Sequence, residues 1–365
     1  MRRRLALFLI TVIVINCFTV AISGRSLQAG SLLLPDSITA KKPYTITGVG
    51  DIMFGTLYPS PGFLPPGDNP RRLIETLIDS LRSSDITFGN LEGSFLDEGE
   101  PFKKCRDTTI CYLFRMPENY SGLLAEAGFN IISLANNHFV DFGWKAAART
   151  KELLDSLGIY YAGLTENPFV VFKKDSVIYG FCAFSPTAGS PSLNDTVEAK
   201  AIVKMLSEKC DIVIVSFHGG AEGADFQRVP KTDEFFYGEN RGNVYNFAHS
   251  MIDCGADVVF GHGPHVTRAI EVYKGRFISY SLGNFCTYGR FNINGPNGFA
   301  PVIKLNVDKT GKFLSGRIIP VYQGQDGQVR TDSLGRAIKK IRDLVDLDFP
   351  YSEADVTDDG KILYK

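Results

Sequence analysis

The stretch Asn130–Gly143, NIISLANNHFVDFG, changes character halfway along its length. Its first half is apolar and typical of a buried strand, whereas its second half begins with two amides and an imidazole, in the ANNH segment at 135–138. A turn alone explains the amides, because Asn tolerates unusual backbone angles and bonds its own backbone. A ligand site explains them equally well, because ligands of α/β sheets bind at the carboxyl ends of strands. Other strand ends must distinguish the two interpretations.

Four other predicted strands also end in carboxylate, amide or imidazole side chains. These are Asp51 in GVGDIMFG, Asn90 and Glu92 in GNLEG, His218 in SFHGGAEG, and His262 and His265 in GHGPH. The chain has five histidines, and only His249, in the middle of a predicted helix, lies away from these strand ends. We interpret His249 as structural. A cap or a core contact explains any one of the other residues, but five similar strand ends together favour one shared site.

This set of side chains predicts a metal site. Imidazoles, carboxylates and an amide oxygen are ligands that manganese, zinc and iron use in proteins. The apolar strands would hold these ligands rigidly, and the glycine-rich turns after them would let the backbone come close. We therefore expect a divalent metal cofactor (manganese, zinc or iron), with one or two ions bound.

Composition and periodicity predict an ordinary globular α/β protein. Of the 365 residues, 44% are hydrophobic and 22% are charged, and the formal net charge is -1. Such a balance gives no bulk attraction for nucleic acid, which we exclude as a partner. Predicted strands alternate with helices, including an amphipathic helix over 69–84, and strand–turn–strand units follow from about residue 270. A last helix over 332–346 precedes an acidic, polar tail. This order predicts one α/β domain with a sheet of mostly parallel strands and added antiparallel ones.

The N-terminus and the cysteines predict export. Three arginines, an apolar run and small residues give 1–25 the layout of a secretory signal, although the run is also long enough for an uncleaved membrane anchor. The protein would then lie at the cell envelope, either membrane-anchored or periplasmic or extracellular. In an oxidising compartment, Cys105 and Cys111 are expected to form a disulfide, the alternative being two unpaired loop thiols. The other cysteines beyond the signal segment are interpreted as small buried hydrophobes.

The motifs GDIMFG, NLEG, ANNHFVDFG, SFHGGAE, GHGPHV and YSLGNF, in this order, resemble the CapA family of capsule-biosynthesis proteins, which is related to the calcineurin-like metallophosphoesterases. The resemblance covers about 45–325. It implies an α/β fold, a four-layer αββα sandwich of metallophosphoesterase type with mixed sheets. The expected organisation is a signal peptide or anchor over 1–25, a CapA-like domain over 40–330, and a C-terminal helix and tail over 331–365.

The resemblance also implies residue roles. Six residues would bind metal: Asp51, Glu92, Asn137, His218, His262 and His265. His138 would act as general acid and, with Asp51, form the catalytic pair. Five further residues would support the ligands or face the substrate, with Glu222 orienting His218: Asn90, Asn136, Asp141, Glu222 and Asn284. The second carboxylate of the family pattern matches Glu92 or Asn90.

One position departs from the family pattern. Met53 stands where the metallophosphoesterase pattern has a histidine ligand, and a thioether is a poor ligand for these metals. One metal position is therefore expected to be well supplied with ligands and the other poorly supplied.

The resemblance implies a role in poly-γ-glutamate synthesis and export. The expected function is a metal-dependent hydrolase or transferase that acts on an anionic envelope polymer or its precursor, with membrane-bound synthase components as partners. The alternative is a non-catalytic, membrane-tethered component that binds the polymer or the synthase.

Overall fold

Two β-sheets lie face to face at the centre of the computed structural model, which describes 42–104 and 111–365. The larger sheet has ten strands: β1 (Tyr44–Met53), β2 (Ile86–Leu91), β5 (Ile131–Ser133), β6 (Tyr160–Ala162), β15 (Asn284–Thr287), β16 (Phe299–Val307), β17 (Phe313–Gln323), β18 (Val329–Thr331), β19 (Ala354–Val356) and β20 (Lys361–Tyr364). Along its main path the strand order is β19-β20-β17-β16-β1-β2-β5-β6, with β15 also paired to β1 and β18 to β17.

The smaller sheet has six strands in the order β13-β14-β12-β9-β8-β7. They are β7 (Phe169–Lys174), β8 (Val177–Phe184), β9 (Ile212–His218), β12 (Val258–His262), β13 (Ile270–Tyr273) and β14 (Arg276–Ser279). Two short pairs complete the strands: β3 (Ser94–Phe95) with β4 (Arg115–Met116), and β10 (Glu234–Phe236) with β11 (Glu239–Gly242). Both large sheets contain parallel and antiparallel pairs, as the sequence predicts.

Seven α-helices accompany the sheets in the described part of the chain. They are α1 (Arg71–Ile74), α2 (Ile78–Arg82), α3 (Gly122–Glu126), α4 (Gly143–Ser156), α5 (Thr196–Ser207), α6 (Val244–Asp253) and α7 (Arg336–Asp348). None of these helices is both long and apolar enough to cross a bilayer.

Three apolar cores separate four layers. The first core packs α1–α4 against the outer face of the larger sheet, and the third packs α5 and α6 against the outer face of the smaller sheet. The middle core lies between the sheets, where the ring of Phe88 stacks on that of Phe260 with centroids 5.0 Å apart. The order helix, sheet, sheet, helix is the predicted four-layer αββα sandwich, and the fold-class prediction is confirmed.

Two local predictions are wrong. The helix expected over 69–84 is interrupted, because α1 ends at Ile74 and α2 begins at Ile78. Leu77 N donates to Ile74 O at 2.9 Å, a tighter turn than an α-helix makes, while the side chain of Thr76 donates to Val329 O. The apolar face was predicted correctly, since its residues are all buried.

The polar tail expected after the last helix contains two strands instead. β20 pairs with β17, and β19 pairs with β20, so this segment extends the edge of the larger sheet. Main-chain hydrogen bonding to an existing edge is available to any sequence without Pro, and it therefore needs little apolar periodicity.

Candidate metal centre

The site begins with Asp51, which lies near the end of β1 in the larger sheet. Its side chain contacts residues from both sheets. Its carboxylate hydrogen-bonds with Nδ1 of His262 at 3.1 Å and with Nδ1 of His265 at 2.9 Å. Asn90, its register partner on β2, donates to Oδ1 at 2.9 Å. Because His262 ends a strand of the smaller sheet, the carboxyl ends of parallel strands from both sheets meet at this point.

Glycines allow the close approach of these strand ends. A Cβ on Gly50 would lie 2.0 Å from the carbonyl oxygen of Gly283, which accepts a hydrogen bond from Asp51 N. Gly263 has a φ of 111°, and a Cβ there would lie 2.8 Å from Gly219 N. A side chain at either position would force the ligand-bearing strand ends apart.

Glu92 and His218 complete a buried cluster with Asp51. One ligand atom from each of these three residues lies within 4.8 Å of the others, and all three side chains are buried. Asn90 donates to Glu92 Oε2 at 2.7 Å and so bridges the two carboxylates. Burial, and next the negative charge of Asp51, raise the pKa of Glu92 well above its usual range.

Several buried polar atoms at this centre have no hydrogen-bond partner among the described residues. They are Glu92 Oε1, both ring nitrogens of His218, His262 Nε2 and Asn284 Oδ1. An unsatisfied buried polar group costs about 1–3 kcal/mol, more when charged. A bound divalent cation would satisfy such oxygen and nitrogen atoms together, and the donor set suits manganese, zinc or iron. The residues present therefore fit the expected metal.

The protonation of the histidines follows from burial and from Asp51. Burial lowers the pKa of His218 well below its usual value, which favours the neutral imidazole that binds metals. Burial also opposes the charge of His265, but the hydrogen bond to Asp51 and the negative charges of the nearby carboxylates, Asp51 first, together outweigh burial and raise the pKa of His265 to about 10. His262 and His265 both hydrogen-bond with the carboxylate of Asp51. Together they overcome the effect of its burial and hold the pKa of this carboxyl far below the usual range.

The ANNH turn carries His138 into a cleft of about 350 Å³ beside His265 and Asn284. Nδ1 of His138 hydrogen-bonds with Asp141 Oδ2 at 2.8 Å, and its backbone N donates to Asn136 Oδ1. Burial lowers the pKa of His138, and Asp141 partly opposes this effect.

Asn136 ties the ANNH turn to the neighbouring strand end. Its Nδ2 donates to Leu91 O at 2.8 Å and to Asn90 Oδ1 at 3.2 Å. Asn137 differs, because its carbonyl oxygen accepts from Lys103 while its side-chain oxygen stays buried and unpartnered. Neighbouring residues of this turn thus have different surroundings.

The expected role of Glu222 is not observed. The sequence predicted that Glu222 orients His218, but Glu222 forms an ion pair with Arg241 and neither ring nitrogen of His218 has a hydrogen-bond partner. Arg241 is buried, and its charge adds to the lowering of the pKa of His218. Sequence reasoning missed Arg241, which lies in a hairpin with no recognisable motif.

The cleft side of His265 is held by two asparagines, of which only Asn284 was predicted. Asn284 Nδ2 donates to His265 O at 3.3 Å, and Asn297 Nδ2 donates to the same oxygen at 3.0 Å. The φ of His265 is 56°, a left-handed conformation that non-glycine residues seldom adopt. Asn297 follows Gly295 and Pro296 and precedes Gly298, and nothing in its local sequence distinguishes it from a turn residue.

Met53 belongs to the first apolar core. Its side chain is fully buried there, and its sulfur accepts a hydrogen bond from Gly55 N at 3.2 Å. A buried thioether in this position supplies no ligand for a hard or borderline cation. That one metal position is poorly supplied with ligands stays a prediction.

The described cysteines are one disulfide-bonded residue and four free thiols. Cys111 is disulfide-bonded, while its predicted partner Cys105 lies outside the described residues. The free cysteines of the described chain are Cys182, Cys210, Cys254 and Cys286, of which Cys182 and Cys286 are fully buried, as predicted for small hydrophobes.

Fold and site together define the class of protein: an α/β four-layer sandwich of metallophosphoesterase type with a buried centre suited to a divalent metal. Residues 45–288 match the model of the bacterial capsule synthesis protein PGA_cap family, and the chain belongs to this family.

Two curated relatives are named for capsule or PGA biosynthesis. The chain is 30% identical over 285 residues to the capsule biosynthesis protein CapA of Bacillus anthracis, covering 73% of this chain and 65% of that protein. It is 26% identical over 333 residues to the PGA biosynthesis protein CapA of Bacillus subtilis, covering 87% and 80%. The chain thus spans slightly less than two thirds of the first relative. It also aligns with a crystal structure of a hypothetical protein from Thermus thermophilus, with a TM-score of 0.46, 16% identity and coverage of 79% and 99%.

Proposed function

We propose that this protein is a metal-dependent hydrolase or transferase of capsule or poly-γ-glutamate biosynthesis, acting on an envelope polymer or its precursor. One observation carries the proposal: a buried cluster in which Glu92, His218 and His262 keep atoms without hydrogen-bond partners, within reach of Asp51. Buried titratable groups left in this state are costly unless they have a use. The family membership supports the biosynthetic context.

In this proposal, Asp51, Glu92, Asn137, His218 and either or both of His262 and His265 would hold the metal. When bound, a divalent ion polarises a substrate oxygen and lowers the pKa of a water molecule. The chain's own contribution begins with Asn90, which keeps the carboxylates of Asp51 and Glu92 at a fixed separation through hydrogen bonds to both.

His138 would protonate the leaving group. Its Nδ1 is engaged by Asp141, so Nε2 is the nitrogen left to carry a proton toward the cleft. Burial lowers its pKa, which makes the protonated imidazole a stronger acid, and Asp141 opposes this lowering and so favours the protonated form that a general acid requires. Positioned acids of this kind contribute about 10²–10⁴ in rate.

The proposed substrate is an anionic polymer such as poly-γ-glutamate, and the proposed partners are membrane-bound synthase components. The names of the two CapA relatives, for capsule and PGA biosynthesis, support both choices. The proposal places the protein outside the cytoplasm, at the cell envelope, because 1–25 have the layout of a signal peptide or anchor.

A second candidate is a non-catalytic, membrane-tethered component that binds the polymer or the synthase. Met53 favours this candidate, since its side chain is part of the apolar core where the family pattern has a metal ligand. In that case one metal would serve binding or stability and not turnover.

Elemental analysis combined with an activity assay distinguishes the two candidates. The purified full chain, reconstituted with manganese, zinc or iron, should retain about one equivalent of metal after desalting and should cleave poly-γ-glutamate or a p-nitrophenyl phosphoester. Glu92→Gln should lose the metal, and His249→Ala should keep it. Retained metal without turnover of either substrate would favour the binding component. A protein that retains none of the three metals would overturn the metal centre itself.

A further inference from the structure

We propose that Arg290 forms an anion-binding subsite in the cleft beside His138, and that this subsite takes a carboxylate of the polymer substrate. The inference rests on the proposed function, since it specifies how the same cleft would recognise an anionic chain. It assigns a binding role to a residue that belongs to none of the sequence motifs.

Arg290 has no ion-pair partner among the residues that the structure describes. Its Nη2 donates instead to the backbone oxygen of Cys111 at 2.7 Å. Other arginines nearby are neutralised, Arg241 by Glu222 and Arg268 by Glu234. An arginine that keeps its full charge at a cleft wall attracts an anion.

The guanidinium of Arg290 is held in place before any ligand binds. Its Cζ lies 5.0 Å from the ring centroid of Phe63 and 5.0 Å from that of Tyr112, so two aromatic rings pack against it. Cation–π contacts of this kind and the bond to Cys111 restrict the side chain's rotamers. A charge fixed in this way loses little conformational entropy when it binds a partner.

Donor capacity remains on this fixed guanidinium. Arg290 Nε is buried and has no hydrogen-bond partner, although the group carries five N–H donors in a planar fork. A planar carboxylate can accept two parallel hydrogen bonds from such a fork, which gives both affinity and orientation.

The position of Arg290 connects this anion subsite with the chemistry. Arg290 lines the same cleft as His138 and His265. Glu222 also lines it and shares Arg241 with Glu239. Of the described residues that line the cleft, Arg290 is the only arginine or lysine, and no described Asp or Glu forms an ion pair with it. A polymer with a carboxylate on every repeat could place one carboxylate on Arg290 while a neighbouring bond lies at the metal centre.

Calorimetry with a defined γ-linked glutamate oligomer tests the subsite in the full chain. Arg290→Gln should weaken oligomer binding by roughly 10- to 100-fold, the range expected for a hydrogen-bonded charge pair. Arg290→Lys should recover part of this loss, because it restores the charge without the fork. Arg330→Gln is the matched control: it removes an arginine that is paired with Asp326 outside the cleft, and it should bind as the wild type does.

Two further probes separate the sources of the anion. The fully methyl-esterified oligomer should bind equally to the wild type and to Arg290→Gln. Phenyl phosphate should show a smaller dependence on Arg290 than the oligomer does. If phenyl phosphate depends on Arg290 and the free oligomer does not, the carboxylate assignment is overturned; if neither the free oligomer nor phenyl phosphate depends on Arg290, the subsite itself is overturned.

These outcomes are distinguishable from failure of the proposed function. Oligomer binding that depends on Arg290 in a protein without turnover would keep the subsite and refute the enzyme. Metal-dependent turnover of the polymer at wild-type KM in Arg290→Gln would keep the enzyme and refute the subsite.

Discussion

Two histidine–carboxylate clusters in this protein, one with the half-buried His249 and one with the buried His218, have opposite hydrogen-bonding states. In the first, His249 Nε2 and Tyr280 OH both lie 2.8 Å from Glu271 Oε2. The imidazole of His249 stacks against Tyr273 at 3.9 Å between centroids, and none of these residues has a buried polar atom without a partner. In the second, His218 has no hydrogen-bond partner at either nitrogen, and Glu92 Oε1 has none.

The difference shows that burial of histidine is by itself no evidence of function. The cluster around Glu271, composed of His249, Glu271 and Tyr280, is a closed network that rigidifies the fold. The metal centre, in contrast, contains buried polar atoms without hydrogen-bond partners. These atoms lower the stability of the fold, and a bound ligand would offset this cost. Substitutions at matched positions of the two clusters should therefore differ in kind as well as in size.

The largest expected effect is a difference in turnover between the variants His138→Ala and His249→Ala. His138→Ala should lower turnover of whichever substrate the protein cleaves by roughly 10²–10⁴, because a positioned acid is lost, while metal content stays unchanged. His249→Ala should leave turnover within about twofold of the wild type. Steady-state kinetics with metal analysis and circular dichroism on the same samples measures both.

An unchanged rate in His138→Ala would remove the general acid from the mechanism. A folded His249→Ala protein with a rate as low as that of His138→Ala would remove the contrast between the clusters.

An intermediate effect is expected from pH on metal affinity. In the metal-free protein the pKa of His265 is raised to about 10, so this imidazole holds a proton near neutrality, and the raised pKa of Glu92 favours its protonated form. Metal binding must displace such protons, and affinity should rise about 10-fold per pH unit for each proton released. Titration calorimetry at pH 6 to 8, in buffers of different ionisation enthalpy, counts these protons.

Stability of the metal-free protein should follow the same groups. Because the folded pKa of His265 lies above its unfolded value, its contribution is present below about pH 6.5 and is lost as pH rises toward 10. The free energy of unfolding should therefore decline over that window in the presence of chelator.

For the pH dependence of metal affinity, His249→Ala is the control and should leave the slope of metal affinity with pH unchanged. A slope of zero in the wild type would mean that the metal displaces no protons from His265 and Glu92.

The smallest expected effect is on the free energy of unfolding, which should change in opposite directions in Glu271→Ala and in metal-free Glu92→Gln. Glu271→Ala should lower the free energy of unfolding by about 1–3 kcal/mol, because it leaves His249 and Tyr280 without their acceptor. Glu92→Gln should leave the metal-free protein as stable as the wild type or more stable by about 1 kcal/mol, since it removes a carboxylate that burial and Asp51 both disfavour.

Urea denaturation with chelator measures both changes, and the same experiment with metal should reverse the sign for Glu92→Gln. A loss above about 2 kcal/mol for metal-free Glu92→Gln would show that Glu92 is a structural residue like Glu271.

The sequence by itself determined the α/β class, the strands that approach the site and the chemical character of the candidate metal centre, whereas the four-layer sandwich was implied by the family resemblance. The reason is that alternation of strands and helices is local, and the rule that ligands collect at the carboxyl ends of parallel strands needs no coordinates. Asp51, Glu92, His218, His262 and His265 were identified in this way, and the ANNH segment was predicted to assign different roles to neighbouring residues.

Only the tertiary structure decided which groups remain unpaired. Glu222 is close to His218 in sequence but pairs with Arg241, and Arg290 reaches the cleft from a loop with no motif. Hydrogen-bond satisfaction depends on all atoms within about 3.5 Å, and most of these come from distant parts of the chain. The same reason explains the helix that breaks after Ile74 and the tail that forms strands: local patterns describe which residues become buried, whereas contacts with distant strands decide how the backbone is bonded.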